Sequence, residues 1–257
     1  MQILAMLTML IDHLGIVLAP GNVWFRCVGR LAMPLYAFAL VIGCSRTRSF
    51  RRYALRLAVI AVLSQIPYSH ALMEPDEPFE FNVVFTLLVA LAVLRLMDAV
   101  AGPAESASVA PAAPAAPAAA RASGSGPRAG AEAGGSIARR TRGVRRFAVA
   151  VGIAAGGCLL LELLPFDYGA HLLLLVLIYR YAAGQAALAL HFFLNLLYIA
   201  LGYPEYQMFS LLSTLLVAFV PDMLHEADRR IRVPRRLWRA FYPAHLAALA
   251  VIRHFGA

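Results

Sequence analysis

The residues best able to do chemistry are an acid, an imidazole and two guanidiniums within the first thirty positions, in sequence that is otherwise apolar: MLTMLIDHLGIVLAPGNVWFRCVGRLAMPLYAFALVIG. Asp12 and His13 lie near the centre of one apolar segment, residues 2–19. Arg26 and Arg30 stand at the start of a second, 27–44, four residues apart and so on one helical face. Histidine can move a proton near neutral pH and can carry a transferred acyl group. Arginine stays charged and offers a planar fork of donors to carboxylate, phosphate or a developing oxyanion. Asp12 points about 100° away from His13 around a helix, so it is placed to neutralise Arg26 or Arg30 rather than to orient the imidazole. Each apolar segment is long enough to cross a bilayer, and a charge at mid-membrane depth costs at least ~2.5–3.5 kcal/mol. Such a group faces a protein interior with a partner, so the two segments read as the floor of a polar site inside a membrane bundle.

No glycine-rich phosphate loop, nucleophile elbow or metal-spaced His/Cys set occurs in the chain. Cys27, Cys44 and Cys158 are scattered through apolar sequence and read as small buried hydrophobes, so no metal is expected. Acyl transfer, proton-coupled transport and ion conduction remain as the chemistries open to the site.

The elements that must position these residues follow from composition. Of 257 residues, 61% are hydrophobic and only 14% charged, against about 25% charged in a soluble domain. All 23 basic residues are arginine, and the net charge of +9 reads as arginines holding cytoplasmic loops in place rather than as a nucleic-acid surface. The first segment lacks a basic leader and is interrupted by Asp12-His13, so it is expected to be retained rather than cleaved as a signal.

Seven further apolar segments follow, at about 52–68, 81–100, 146–164, 168–183, 185–201, 207–224 and 237–255. Odd-numbered connections (PGNVWF, SHALMEPDEPFE, PF and GYPEY) are poor in arginine. Even-numbered ones carry it: SRTRSFRR, a long connection ending ARRTRGVRR, Arg180, and ADRRIRVPRRLWR. This alternation predicts an all-α, polytopic transmembrane bundle of about nine spans with its N-terminus cytoplasmic. Residues 101–137, rich in Ala, Pro, Gly and Ser, cannot bury a core and are expected to form a disordered cytoplasmic linker, reaching to about 140. One membrane domain, 1–257, is therefore expected, interrupted by that linker. Its two parts show no internal repeat, which disfavours a transporter built from inverted repeats.

With this topology Asp12, His13, Arg26, Arg30, Gln65, Asn82, Thr86, Glu162, Asp167, Tyr168, His171 and Gln207 share the depth between midplane and outer surface, and His245 approaches the midplane from below. Helices sharing one polar depth are expected to line one cavity, with Gln65 and Thr86 acting as interhelical glue.

In chain order the sequence also carries LTMLIDHLG (7–15), GRLAMPLYAF (29–38), RLAVIAVLSQIPY (56–68), FNVVFTLL (81–88), FDYG (166–169), Gln207 and FYPAHLAALAVIR (241–253). With these motifs the chain closely resembles the TraX family, F-pilin acetylase-like integral membrane proteins related to membrane acyltransferases. It departs in the long linker, in His171 where a smaller residue is expected, and in FVPDMLHEADR at the end of the eighth segment. The resemblance implies an acetyl-CoA (acyl-CoA) dependent membrane acetyltransferase of the bacterial cytoplasmic (inner) membrane. It would move an acyl, expectedly acetyl, group to an amine or hydroxyl at the outer face: a pilin-like amino terminus, an envelope polysaccharide or an exported small molecule. His13 would be general base or acyl carrier, Arg30 would stabilise the oxyanion and Asp12 would support them. Arg26, Asn82, Asp167, Tyr168, Gln207, Tyr242 and His245 would line the site. Arg48, Arg51 and Arg56, or Arg232, Arg235 and Arg236, would hold the donor's phosphates. The competing expectation is a proton-coupled exporter relaying protons through Asp12, His13 and Asp167.

Overall fold

The computed structural model describes residues 1–74, 76–101, 133–220 and 234–255. Among them are ten α-helices and one 3-10 turn: α1 Gln2–Leu18, α2 Val23–Gly29, α3 Ala32–Arg46, α4 Phe50–Leu72, α5 Val83–Ala101, α6 Ala133–Leu163, α7 Gly169–Tyr181, α8 Gly184–Ala200, the turn Glu205–Phe209, α9 Ser210–Phe219 and α10 Arg235–Phe255. Over their described residues the nine apolar segments coincide with helix, the second with α2 and α3 and the eighth with the 3-10 turn and α9. Four stretches are long and apolar enough to cross a bilayer: Val23–Arg46 read through the α2–α3 junction, Phe50–Leu72, Val83–Ala101 and Gly143–Leu163. Gln2–Leu18, Gly169–Tyr181, Gly184–Ala200 and Glu205–Phe219 are apolar but shorter.

The outward surfaces of the long helices are those of a protein solvated by lipid. On α4, Leu63 and Ile66 are 62% and 72% exposed; on α6, Phe147 and Leu163 are 73% and 72% exposed. Side chains of this kind make a contiguous apolar face that water would not tolerate. Inside, among the described residues, three buried clusters form; the smallest gathers Ala5, Leu35 and Val217, and two larger ones flank the site. One gathers Leu40, Leu91, Leu94, Leu172, Leu175 and their neighbours from α3, α5, α6, α7 and α8. The other gathers Met9, Ala61, Tyr68, Leu246 and Leu249 from α1, α4 and α10.

Two expectations are corrected here. The second apolar segment is one run in the sequence, yet its helix breaks after Gly29 and resumes at Ala32. Pro34 explains it: proline has no N–H to give to the carbonyl four residues back, and its ring crowds that carbonyl, which belongs to Arg30. The Leu31 carbonyl at the break accepts from Ser213 Oγ on α9 at 2.8 Å. The linker, expected to reach about residue 140, has helical ends: α5 includes Ala101 and α6 begins at Ala133. Alanine and arginine are good helix formers and extend the apolar helix that follows. Residues 102–132 lie outside the described part.

Candidate functional site

Between the two larger clusters lies a cavity of about 590 Å³, within the range of small-molecule sites. Asp12, His13, Arg26, Arg30, Asp167 and Tyr168 all line it. The helices bring them together through close backbone approaches. α1 crosses α2 so closely that a Cβ on Gly29 would lie 2.1 Å from Asp12 Oδ1, and one on Gly15 would lie 2.2 Å from Phe25 Cβ. Glycine is required at that crossing, and the crossing seats Asp12 against Arg26, whose Nη1 donates to Asp12 Oδ1 at 2.9 Å. The expected neutralising partner of Asp12 is therefore Arg26.

Arg30, at the helix break, is only 8% exposed. Its guanidinium lies 5.1 Å from the ring centroid of Tyr206 and 5.7 Å from that of Tyr168, and Nη1 donates to the Tyr168 hydroxyl at 3.2 Å. Arg30 Nε is buried and finds no acceptor among the described residues. His13 Nδ1 lies 2.8 Å from His245 Nε2, and His245 Nδ1 lies 2.7 Å from the Phe241 carbonyl oxygen. The buried Tyr242 ring stands 6.5 Å from that of His13.

The FDYG motif forms the loop between α6 and α7. Phe81 N–H donates to the Pro165 carbonyl and Asp167 N–H donates to the Phe81 carbonyl, at 2.7 and 2.9 Å. Thr86 Oγ1 donates to the Asp167 carbonyl at 2.7 Å. Tyr168 adopts a left-handed φ of 63°, uncommon for a bulky residue, followed by Gly169 at 47°. So pinned, the loop presents Asp167 and Tyr168 to the cavity. Burial pushes the Asp167 carboxyl up to about 7, with Glu80 adding to the rise and Arg30 opposing it. Burial also raises Glu80, against the lowering effect of a hydrogen bond from the Tyr68 hydroxyl at 3.1 Å.

The expected single cavity is corrected to a cavity and a separate buried network. Asn82 is fully buried and does not line the cavity: its Nδ2 donates to the Ala61 carbonyl and to Gln65 Oε1 at 2.9 and 2.8 Å, locking α4 to α5. Gln65 and Thr86 serve as the expected glue. Glu162 accepts from the Ala170 N–H and the Tyr198 hydroxyl, at the start of α7. His171 and Gln207 belong to the other network. In it His171 Nε2 meets Asn195 Oδ1 at 3.1 Å, Asn195 Nδ2 donates to Ser210 Oγ and to the Gln207 carbonyl, and His191 bridges Ser210 and Thr214. The face of α7 carrying His171 looks toward α8 and α9, which the shared depth could not reveal.

Of the proposed donor contacts, Arg48, Arg51, Arg56 and Arg236 are exposed and none lines the cavity. Arg56 lies 5.9 Å from the Tyr53 ring centroid. Arg232 and the Arg235 side chain lie outside the described residues. Sequence reasoning missed Glu80, Tyr203 and Arg239, which do line the cavity. Arg239 was legible: it precedes Tyr242 by three positions and so shares its helical face. Among the described residues no group of three or more His, Cys, Asp or Glu is arranged to hold a metal ion.

Long apolar helices with lipid-type outer faces, enclosing a charged cavity, define a polytopic helical membrane protein. Residues 1–119 match the family model described as TraX protein, so the resemblance read from the first four motifs is shown over that stretch, which carries Asp12, His13, Arg26 and Arg30. A curated relative from Dichelobacter nodosus, named "Probable fimbrial assembly protein FimC, serogroup H1", is 34% identical over a match covering 38% of this chain and 44% of that protein. The chain thus spans less than half the length of the curated relative it matches. No solved structure matches.

Proposed function

We propose that this protein is an acyltransferase of the bacterial inner membrane, crossing it about nine times with its N-terminus inside. It would take an acyl group, acetyl in the simplest case, from acyl-CoA on the cytoplasmic side. It would transfer that group to an amine or hydroxyl at the outer face. The observation that carries this reading is Arg30: a buried guanidinium held by tyrosine faces, its Nε without an acceptor, opening into the same cavity as His13.

In the reaction, the acceptor's nitrogen or oxygen attacks the thioester carbonyl and gives its proton to His13. A C–N or C–O bond forms, Arg30 holds the oxyanion, the C–S bond breaks, and the leaving thiolate takes the proton back from His13. Losing an oxyanion donor typically costs ~3–4 kcal/mol. The cavity suits a long, thin donor arm: its lining follows α3 from Ala32 to Gly43, eleven residues or ~17 Å at the α-helical rise. The D. nodosus relative's name, a probable fimbrial assembly protein, favours a pilin-like subunit as acceptor.

His13→Ala should abolish acetyl transfer from acetyl-CoA by the purified protein, while expression and melting in detergent stay near wild type. A general acid/base is worth ~10²–10⁴-fold, so activity above a tenth of wild type would overturn the assignment. Mass spectrometry of envelope material from cells with and without the protein would identify the acceptor. Proton-coupled export of a solute without any new acylated product would favour the transporter instead.

A further inference from the structure

If His13 is to accept a proton or an acyl group, a reading on which this inference rests, its Nε2 must carry a lone pair turned to the cavity. A lone imidazole has no such preference, and the adjacent carboxylate cannot impose one, because Asp12 is engaged by Arg26. The imposing group is on another helix. His245 Nδ1 lies 2.7 Å from the carbonyl oxygen of Phe241, one turn earlier on α10. A carbonyl oxygen only accepts, so His245 Nδ1 carries the hydrogen, and in the neutral ring His245 Nε2 is left as an acceptor. That nitrogen lies 2.8 Å from His13 Nδ1. The two rings are 11° from parallel with centroids 5.0 Å apart, so they meet edge to edge near one plane, as an in-line hydrogen bond requires. The hydrogen between them therefore sits on His13 Nδ1. The tautomer is thereby determined, and the lone pair of His13 lies on Nε2, which has no hydrogen-bond partner among the described residues.

We propose that His245 is the positioning residue for His13, fixing its tautomer and ring plane so that Nε2 is the reactive nitrogen. The chain Phe241 carbonyl, His245, His13 does what a carboxylate does for the base of a hydrolytic triad: it orients the ring and shares the charge that forms. When His13 gains a proton at Nε2, its Nδ1 hydrogen can pass to His245 Nε2, spreading the positive charge over two rings and away from Arg26. A neutral imidazole partner does this in a cavity already holding Asp12, Glu80 and Asp167, without adding a further carboxylate.

The test needs a probe independent of acyl transfer. Diethyl pyrocarbonate carbethoxylates a neutral imidazole nitrogen through its lone pair, with loss of ethanol and carbon dioxide. The full-length protein in detergent is treated, and His13 is followed by peptide mass spectrometry, with the exposed His70 and His254 as references. His245→Phe should slow His13 modification relative to His70 by ~10-fold or more, the order lost when an imidazole loses its orienting partner. His245→Gln, which keeps an acceptor, should restore part of it. Acetyl transfer should follow the same order in turnover, with the Michaelis constant for acetyl-CoA unchanged.

Equal His13 reactivity in all three proteins overturns the proposal. If reactivity follows His245 but no acetyl leaves acetyl-CoA, the positioning role stands and the acyltransferase reading falls. Should His245→Phe not fold, ¹⁵N shifts of selectively labelled histidines in the wild type decide it. A protonated Nδ1 and bare Nε2 at His13 uphold the proposal; a hydrogen on Nε2 refutes it.

Discussion

At the scale of the residue, Arg26 is matched by Asp12, whereas Arg30 has no carboxylate hydrogen-bond partner among the described residues. Asp12 is the carboxylate nearest in sequence to both arginines, and Arg26 takes it. Arg30 is held by two tyrosine rings, which offset part of its burial without neutralising it. Asp167, in the FDYG loop, is the complement: a buried acid pushed up to about 7 from its ordinary 3.8. Because the folded chain holds this proton more tightly than the unfolded one, Asp167 contributes stability fully present below pH about 4. That contribution is lost as pH rises toward about 7 and is gone above it. Asp167→Asn should flatten that part of the curve of detergent melting temperature against pH between 4 and 8. A variant with the wild-type slope would show that the acid is not held in this way. That His13 and Arg30 share a polar site was legible in the sequence, because an imidazole and a guanidinium in apolar runs cost too much to be incidental. The unpartnered Nε of Arg30 was not, since it depends on which of two arginines reaches Asp12.

At the scale of the element, the backbone devices that aim the site are side-chain hydrogen bonds across helices. Thr86, fully buried on α5, donates to the Asp167 carbonyl; Asn82 and Gln65 lock α4 to the start of α5. Thr86→Val preserves shape and leaves that carbonyl unpaired, which should cost ~1–3 kcal/mol. Thr8→Val is the control: the Thr8 hydroxyl serves carbonyls in its own turn of α1, at Leu4 and Ala5, and should cost far less. Equal melting of the two variants would remove Thr86 from the support of the loop. Hydropathy located the segments on which all these helices form, because a run of apolar residues announces itself locally. The helix break at Arg30 was written in Pro34, four residues on, but masked by the uninterrupted apolar run. The partition of polar residues between the cavity and the His171–Asn195–His191 network was not legible. It turns on which face of α7 meets α8, and hydropathy is nearly uniform around that helix.

At the scale of the molecule, the cavity connects surroundings of opposite charge. At one extreme Tyr203, 37% exposed, lies on the connection between α8 and the 3-10 turn, and Glu80 lines the cavity from the acidic α4–α5 connection. At the other, exposed Arg239 lines it from the arginine-rich start of α10, beside Trp238, whose ring lies 5.7 Å from that of Tyr36. His13 also lines it, whereas His245, expected to line it, does not and reaches it only through His13, 2.8 Å away. An anionic nucleotide would be drawn to the arginine end and repelled from the acidic one, and it would meet Arg239 before any other cavity-lining guanidinium. On that argument Arg239→Gln should raise the Michaelis constant for acyl-CoA and leave turnover nearly unchanged, the pattern of lost uniform binding rather than lost transition-state contacts. Neutralising exposed Arg48 and Arg51, which lie outside the cavity lining, should move that constant much less. Each variant is first checked for helix orientation by cysteine accessibility, because loop arginines also set topology. If orientation holds and Arg239→Gln leaves the Michaelis constant where it was, the donor does not enter past α10, and the arginine end of the cavity is not its mouth.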